Sequence, residues 1–178
     1  MNKYLLCLVF SLAFQPMFSQ NITWATPAKL QVYAMNKDGE QLVMSSESLF
    51  VTYDQLKMAG ELELNTFQTD ADLFKNLLDS AGTEKITFSG ILPEGKFAYQ
   101  DVLNEHFIVE TEFRYGDHIS QIIINYEVSN RKTSLANTFD ITVTGNLSLK
   151  DDLGVTRETG LEDRISFLFF QNVQTRNY

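Results

Sequence analysis

Apolar and polar residues alternate one for one along much of this chain. That period belongs to strands with one buried face. Leu62 and Leu64 alternate with Glu61, Glu63 and Asn65. Phe107, Val109, Phe113 and Tyr115 alternate with His106, Glu110, Glu112 and Arg114. Phe139, Ile141, Val143, Leu147 and Leu149 alternate with Asp140, Thr142, Thr144, Asn146, Ser148 and Lys150. Turn signals fall between such runs: Asn36-Lys37-Asp38-Gly39, Pro93-Glu94-Gly95, Gly116-Asp117 and Ser129-Asn130-Arg131. Antiparallel strands are expected at 28–35, 40–45, 48–54, 60–67, 84–91, 105–115, 119–128, 137–149 and 163–173.

One segment departs from this rhythm. Asp70 to Ser80 carries apolar residues at 73, 74, 77 and 78, which is helical spacing. Thr69 or Asp70 can cap its start and Gly82 can end it. A short helix among many strands leaves two all-β architectures, a sandwich or a closed barrel. The length of the runs at 105–128 and 137–149 favours a barrel, because tilted strands of that length enclose a deep interior. Such an interior either packs solid or holds a greasy ligand, and alternation alone supports both.

The charge balance narrows the partners. Fourteen Lys and Arg against 23 Asp and Glu give a net charge of −9 with no basic block. That argues against nucleic acid and anionic membrane surfaces as main partners. One cysteine, Cys7, excludes an internal disulfide framework and the usual multi-cysteine zinc sites. The first twenty residues read as a signal peptide. Lys3 precedes an apolar run at 4–14 that is too short to span a bilayer, and Ser19-Gln20 is a cut region. Residues 21–178 then form a single domain with no cysteine, no linker and no run of membrane-spanning length, suited to a periplasm or the extracellular space.

Catalytic constellations are weak. His106 shares a strand face with Glu110, Glu112 and Arg114, but the opposite face is the apolar one, so these side chains read as a solvated exterior. His118 follows the Gly116-Asp117 turn. No Gly-x-Ser-x-Gly elbow is present. Asp70-x-Asp72 and Asp151-Asp152 lack the alternating oxygen ligands of a calcium loop and read as cap and turn residues. No catalytic or metal-ligating residue is assigned, and the chain is not expected to be an enzyme.

Thr144-Gly-Asn-Leu-Ser-Leu149, followed by Gly154-Val-Thr-Arg157, resembles the late part of YceI-like domains, whose pattern is Thr-Gly-Asp-Leu-Thr-Leu, a turn, then Gly-Val-Thr-Lys. Lys85-Ile-Thr-Phe88 resembles that family's strand after its short helix. The resemblance spans about residues 28–173. It implies a lipocalin-like, eight-stranded antiparallel barrel with one short helix near 70–80. It also implies an exported, non-enzymatic protein whose lumen holds an isoprenoid quinone or other long-chain lipid, and which often dimerises. Burial of a hydrocarbon tail gains about 0.8 kcal/mol per methylene, so such a ligand needs an apolar tunnel more than polar anchors.

The residues whose alternation supplies that lining are Leu62, Leu64, Ile86, Phe88, Phe107, Val109, Phe113, Tyr115, Phe139, Ile141, Val143, Leu147 and Leu149. No arginine pair lies on the apolar face to hold a pyrophosphate, which points to a neutral or quinone head. The competing reading is a solid-cored secreted barrel serving as a protein-interaction or envelope-maintenance module. It would use an apolar patch on the last strand, where Phe167 and Phe169 share one face and Leu168 and Phe170 the other.

Overall fold

The computed structural model describes residues 22–54, 56–81, 84–93, 104–132 and 136–176. Its strands are β1 (Ile22–Ala25), β2 (Ala28–Asn36), β3 (Gln41–Asp54), β4 (Lys57–Glu63), β5 (Lys85–Ile91), β6 (Asn104–Tyr115), β7 (His118–Lys132), β8 (Ala136–Ser148) and β9 (Leu161–Arg176). One α-helix, α1, covers Asp72–Ala81. From β2 to β9 each strand pairs antiparallel with its successor, and β9 pairs back with β2. The sheet is therefore a closed eight-stranded antiparallel barrel of lipocalin-like form, in which each of these strands has a partner on both sides. β1 continues the stave of β2. It pairs with β9 through Ala25↔Val173, just beyond Lys29↔Phe170, and Thr26-Pro27 interrupts the ladder between them.

The closed sheet puts one face of every strand in a common interior. Val109, Tyr126, Phe139, Ile141, Val143 and Phe169 are among its buried side chains. On β6 and β7 the alternation continues through twelve directly opposed pairs, from Asn104↔Ser129 to Tyr115↔His118. The end of the barrel that carries the β6–β7 turn also carries α1 and the 149–160 loop, and we call it the helix end.

Several expected boundaries move. The segments 40–45 and 48–54 are one strand, β3. Its pairing with β2 slips between Ala28↔Leu49 and Leu30↔Ser46, so a bulge at the serines exchanges its faces. Ser46 Oγ accepts the Ser48 N–H at 3.1 Å and lies 2.8 Å from Thr66 Oγ1, which satisfies the polar groups inside the bulge. The strand expected over 60–67 stops at Glu63, where Leu64–Thr66 form a 3-10 turn with the Phe67 N–H on the Leu64 carbonyl. Ser129-Asn130-Arg131 is not a turn: these residues pair with Asp140, Phe139 and Thr138 within the β7–β8 ladder.

The helix starts at Asp72 instead of 70. Thr69 Oγ1 accepts the Ala71 N–H at 3.2 Å and donates to the Val43 carbonyl at 2.8 Å, tying the helix start to β3. The expected signal peptide over 1–20, the Gly82 cap and the Glu94-Gly95 turn lie outside the described residues.

Candidate functional site

The inward faces do not pack uniformly. At the helix end they enclose a cavity of about 110 Å³ with wholly apolar walls. Seven of the thirteen expected lining residues border it: Leu62, Leu64, Ile86, Phe88, Phe113, Tyr115 and Leu147. The other six do not border it: Val109, Phe139, Ile141, Val143 and Leu149 are buried in the surrounding core, and Phe107 stacks on Tyr126 with ring centroids 5.1 Å apart. Alternation identifies a face but not a depth, so it could not separate the two groups.

The cavity owes its shape to two glycines. Gly60 on β4 lies opposite Phe88 on β5, and Gly145 on β8 opposite Phe167 on β9. A Cβ at Gly60 would sit 2.1 Å from Phe88 Cζ, and one at Gly145 2.3 Å from Phe167 Cζ. Each ring therefore lies flat over bare backbone instead of standing in the lumen. Phe88 also approaches Phe169, with centroids 6.3 Å apart.

The roof comes from segments outside the barrel. Phe67, Leu77 and Leu78 cover the cavity from the 3-10 turn and α1, and Leu153 and Val155 cover it from the 149–160 loop. A two-residue bridge, Ser45↔Gln68, holds this roof to β3. Phe74, fully buried on α1, anchors the helix into the core. Arg157 Nη2 donates to Ser80 Oγ, joining the loop to the helix, and Lys37 pairs with Glu158.

Beside that join, the Tyr115 hydroxyl donates to the Glu84 carboxylate. Partial burial, and then that bond, push the phenol up to about 12, against the opposing pull of Arg157. The mouth thus combines one carboxylate, one guanidinium and two hydroxyls above an apolar chamber.

Below the chamber the barrel is closed by polar side chains. Tyr53 donates to Gln171 Oε1 at 3.0 Å, and Gln171 Nε2 donates to the carbonyls of Thr26 at 2.8 Å and Val51 at 3.2 Å. Tyr126 donates to Met58 Sδ at 2.8 Å. Burial holds both phenols well above the ordinary tyrosine range, and the two hydroxyls adjoin each other.

The remaining candidates fall elsewhere. His106, Glu110 and Arg114 are exposed on the outer face of β6 and Glu112 is half-buried there. His118 begins β7 and donates from Nε2 to the Asp151 carbonyl. Asp152 Oδ2 accepts the Ser148 N–H at 2.8 Å, and Asp72 pairs with Lys75 at 3.1 Å on α1, as turn and helix residues do. Among the described residues no group of three or more His, Cys, Asp or Glu is placed to hold a metal ion, and no helix is long and apolar enough to cross a membrane. On β9, Phe167 and Phe169 turn into the lumen while Leu168 and Phe170 turn out, so the two faces have different roles.

Sequence reasoning missed much of the wall. Leu30 and Val32 alternate on β2, and Ile122 and Ile124 on β7, yet neither pair was assigned to a lining. The signal was available in those strands and in the Leu77-Leu78 stripe of the helix. Met44 and Leu49 were harder, because the β3 bulge places them on one face at odd spacing.

No protein-family model and no curated protein matches the chain. Solved structures do match in fold. A polyisoprenoid-binding domain from Saccharophagus degradans, implicated in plant cell wall breakdown, superposes with a TM-score of 0.62 at 12% identity, over 85% of this chain and 95% of that one. BcnA from Burkholderia cenocepacia gives 0.56 at 11% identity, over 82% and 95%. The chain thus has the fold that its likeness to YceI-like domains implied.

Proposed function

We propose that this protein is an exported, non-enzymatic carrier that holds the hydrocarbon part of an isoprenoid or other lipid inside its barrel. The observation that carries the reading is the wholly apolar chamber under α1, framed by rings seated on Gly60 and Gly145. Unfilled apolar space lowers stability, because its walls lack contacts that a ligand would supply. The fold shared with a polyisoprenoid-binding domain supports a ligand of isoprenoid or similar hydrocarbon chemistry, whatever its chain length. At the mouth, Tyr115 feels both the Glu84 carboxylate and a single guanidinium, Arg157, and one cation beside an anion favours a neutral or quinone head over a pyrophosphate. The apolar start of the chain supports export.

The test is to purify the full chain without detergent, extract it with organic solvent and identify the extract by mass spectrometry. One class of apolar molecule in stoichiometric amount is expected. An empty extract, together with no uptake of a fluorescent naphthylamine probe, would remove the reading.

One observation favours a second reading. Ile91, Ile108 and Ile123 project outward from β5, β6 and β7, each more than 60% exposed. An interaction module would use such residues, and Ile108→Asp would then change the oligomeric state or partner profile while leaving probe uptake intact. Unchanged assembly in that variant would count against it.

A further inference from the structure

The bonds beneath the chamber cross the whole lumen. Tyr53 is on β3 and Tyr126 on β7, four staves apart in an eight-stave barrel, so the two adjoining hydroxyls meet along a diameter. Gln171 extends the line to β9, and Met58 extends it to β4. None of these four side chains borders the chamber.

Ile141 pairs with Gln171 at this level, and beyond it lie Val128, Phe139 and Val173, each fully buried. A hydrocarbon tail that passed this level would have to separate buried hydroxyl and amide groups from their partners and give them nothing in return. The chamber above is also small. A dry cavity of about 150 Å³ admits a benzene ring, and this one measures about 110 Å³.

We propose that the Gln171–Tyr53–Tyr126–Met58 crossbar makes the lumen a blind pocket that measures chain length, so that its ligand is a short apolar chain and not a long polyisoprenoid. On the scale set by that benzene-sized cavity the pocket accommodates about one isoprene unit, roughly five carbons, and takes a second, about ten carbons, only if the roof yields enough to roughly double its volume. This rests on the carrier reading and specifies its ligand class.

The experiment displaces the naphthylamine probe from the full wild-type chain with two series: straight-chain alcohols of rising length, and geraniol, farnesol and geranylgeraniol. Affinity is expected to rise about fourfold per methylene while the chain is still entering apolar space. It should level off or fall near ten carbons, with geraniol preferred to geranylgeraniol. In Tyr126→Ala the limit should move to longer chains, whereas Tyr126→Phe, which keeps the ring across the lumen, should leave it near the wild-type value.

Affinity climbing without a break through geranylgeraniol in the wild type would overturn the crossbar proposal and leave the carrier reading standing. Failure of every chain to bind would overturn both. The wild-type series decides the matter even if Tyr126→Ala does not fold.

Discussion

Gly145→Ala tests whether the aromatic wall of the chamber depends on bare backbone. The new Cβ would start 2.3 Å from Phe167 Cζ, 2.7 Å from its Cε1 and 3.2 Å from Ile124 Cγ2. Ordinary contact begins near 3.4 Å, so the ring must retreat by about 1.1 Å. β8 backbone lies behind it, and the space that can receive it is the 110 Å³ chamber that Phe167 already borders.

Overpacking a filled core costs about 1–3 kcal/mol. Here the neighbouring space keeps the cost near the low end, and replacing a strand glycine returns about 0.5–1 kcal/mol. Net stability should therefore fall by no more than about 1 kcal/mol, a shift of at most about 4 °C in Tm for a domain of this size. Binding should suffer more, because the displaced ring occupies room for about one or two methylenes. At about 0.8 kcal/mol each, that is a 4- to 15-fold loss of affinity.

The assay is probe displacement by geraniol beside a thermal melt. Phe167→Leu in the same chain should restore part of the affinity, a coupling expected of residues in contact. Unchanged binding in Gly145→Ala, or equal losses with and without Phe167, would refute the reasoning.

Three further outcomes follow from the geometry. The raised pKa values of Tyr53 and Tyr126 stabilise the fold fully below pH 10 and lose that effect as pH climbs from 10 through the folded-state values; Tyr126→Phe should cost about 1 kcal/mol at pH 7 and show a shallower alkaline decline in melts from pH 8 to 12. Asp163 accepts Ser148 Oγ at 2.7 Å and the Lys150 N–H at 2.9 Å, which hold its carboxyl below the ordinary range; the Tm gap between wild type and Asp163→Asn should persist above the usual carboxylate pKa and close as pH falls through the lowered one. Phe74→Ala removes the fully buried anchor of α1 and should cost about 3–5 kcal/mol in urea unfolding, with loss of probe binding because the roof comes away.

The barrel was legible because its tight-turned β6–β7 hairpin states its pattern openly. Alternation over 105–115 and 119–128, with Gly116-Asp117 between them, anticipates β6 and β7 to within a few residues at each end. Where local chemistry competes with the pattern, the reading fails. Ser45-Ser46-Glu47-Ser48 looks like a break, but the ladder continues through it because Ser46 satisfies the bulge from within. Ser129-Asn130-Arg131 has turn composition, yet pairing with β8 overrides it. β1 was not anticipated at all: four residues carry too short a pattern, and they owe their strand form to β9.

The site was half legible for a related reason. Inward direction follows from period two, but depth follows from strand tilt and from contacts across the lumen. Phe139 and Phe88 are alike in sequence terms, yet one is fully buried away from the chamber and the other borders it. The crossbar joins strands far apart in sequence, with 68 positions between Met58 and Tyr126 and 118 between Tyr53 and Gln171. No local pattern announces such a pairing.

The most direct measurement is to illuminate the full chain with a photoreactive, diazirine-bearing geraniol analogue and map the labelled peptides. Labels on Leu62, Phe88 and Phe113, competed away by geraniol, are the result expected of a hydrocarbon held beneath α1. Labels confined to the outward Ile91, Ile108 and Ile123 would contradict a ligand inside the barrel.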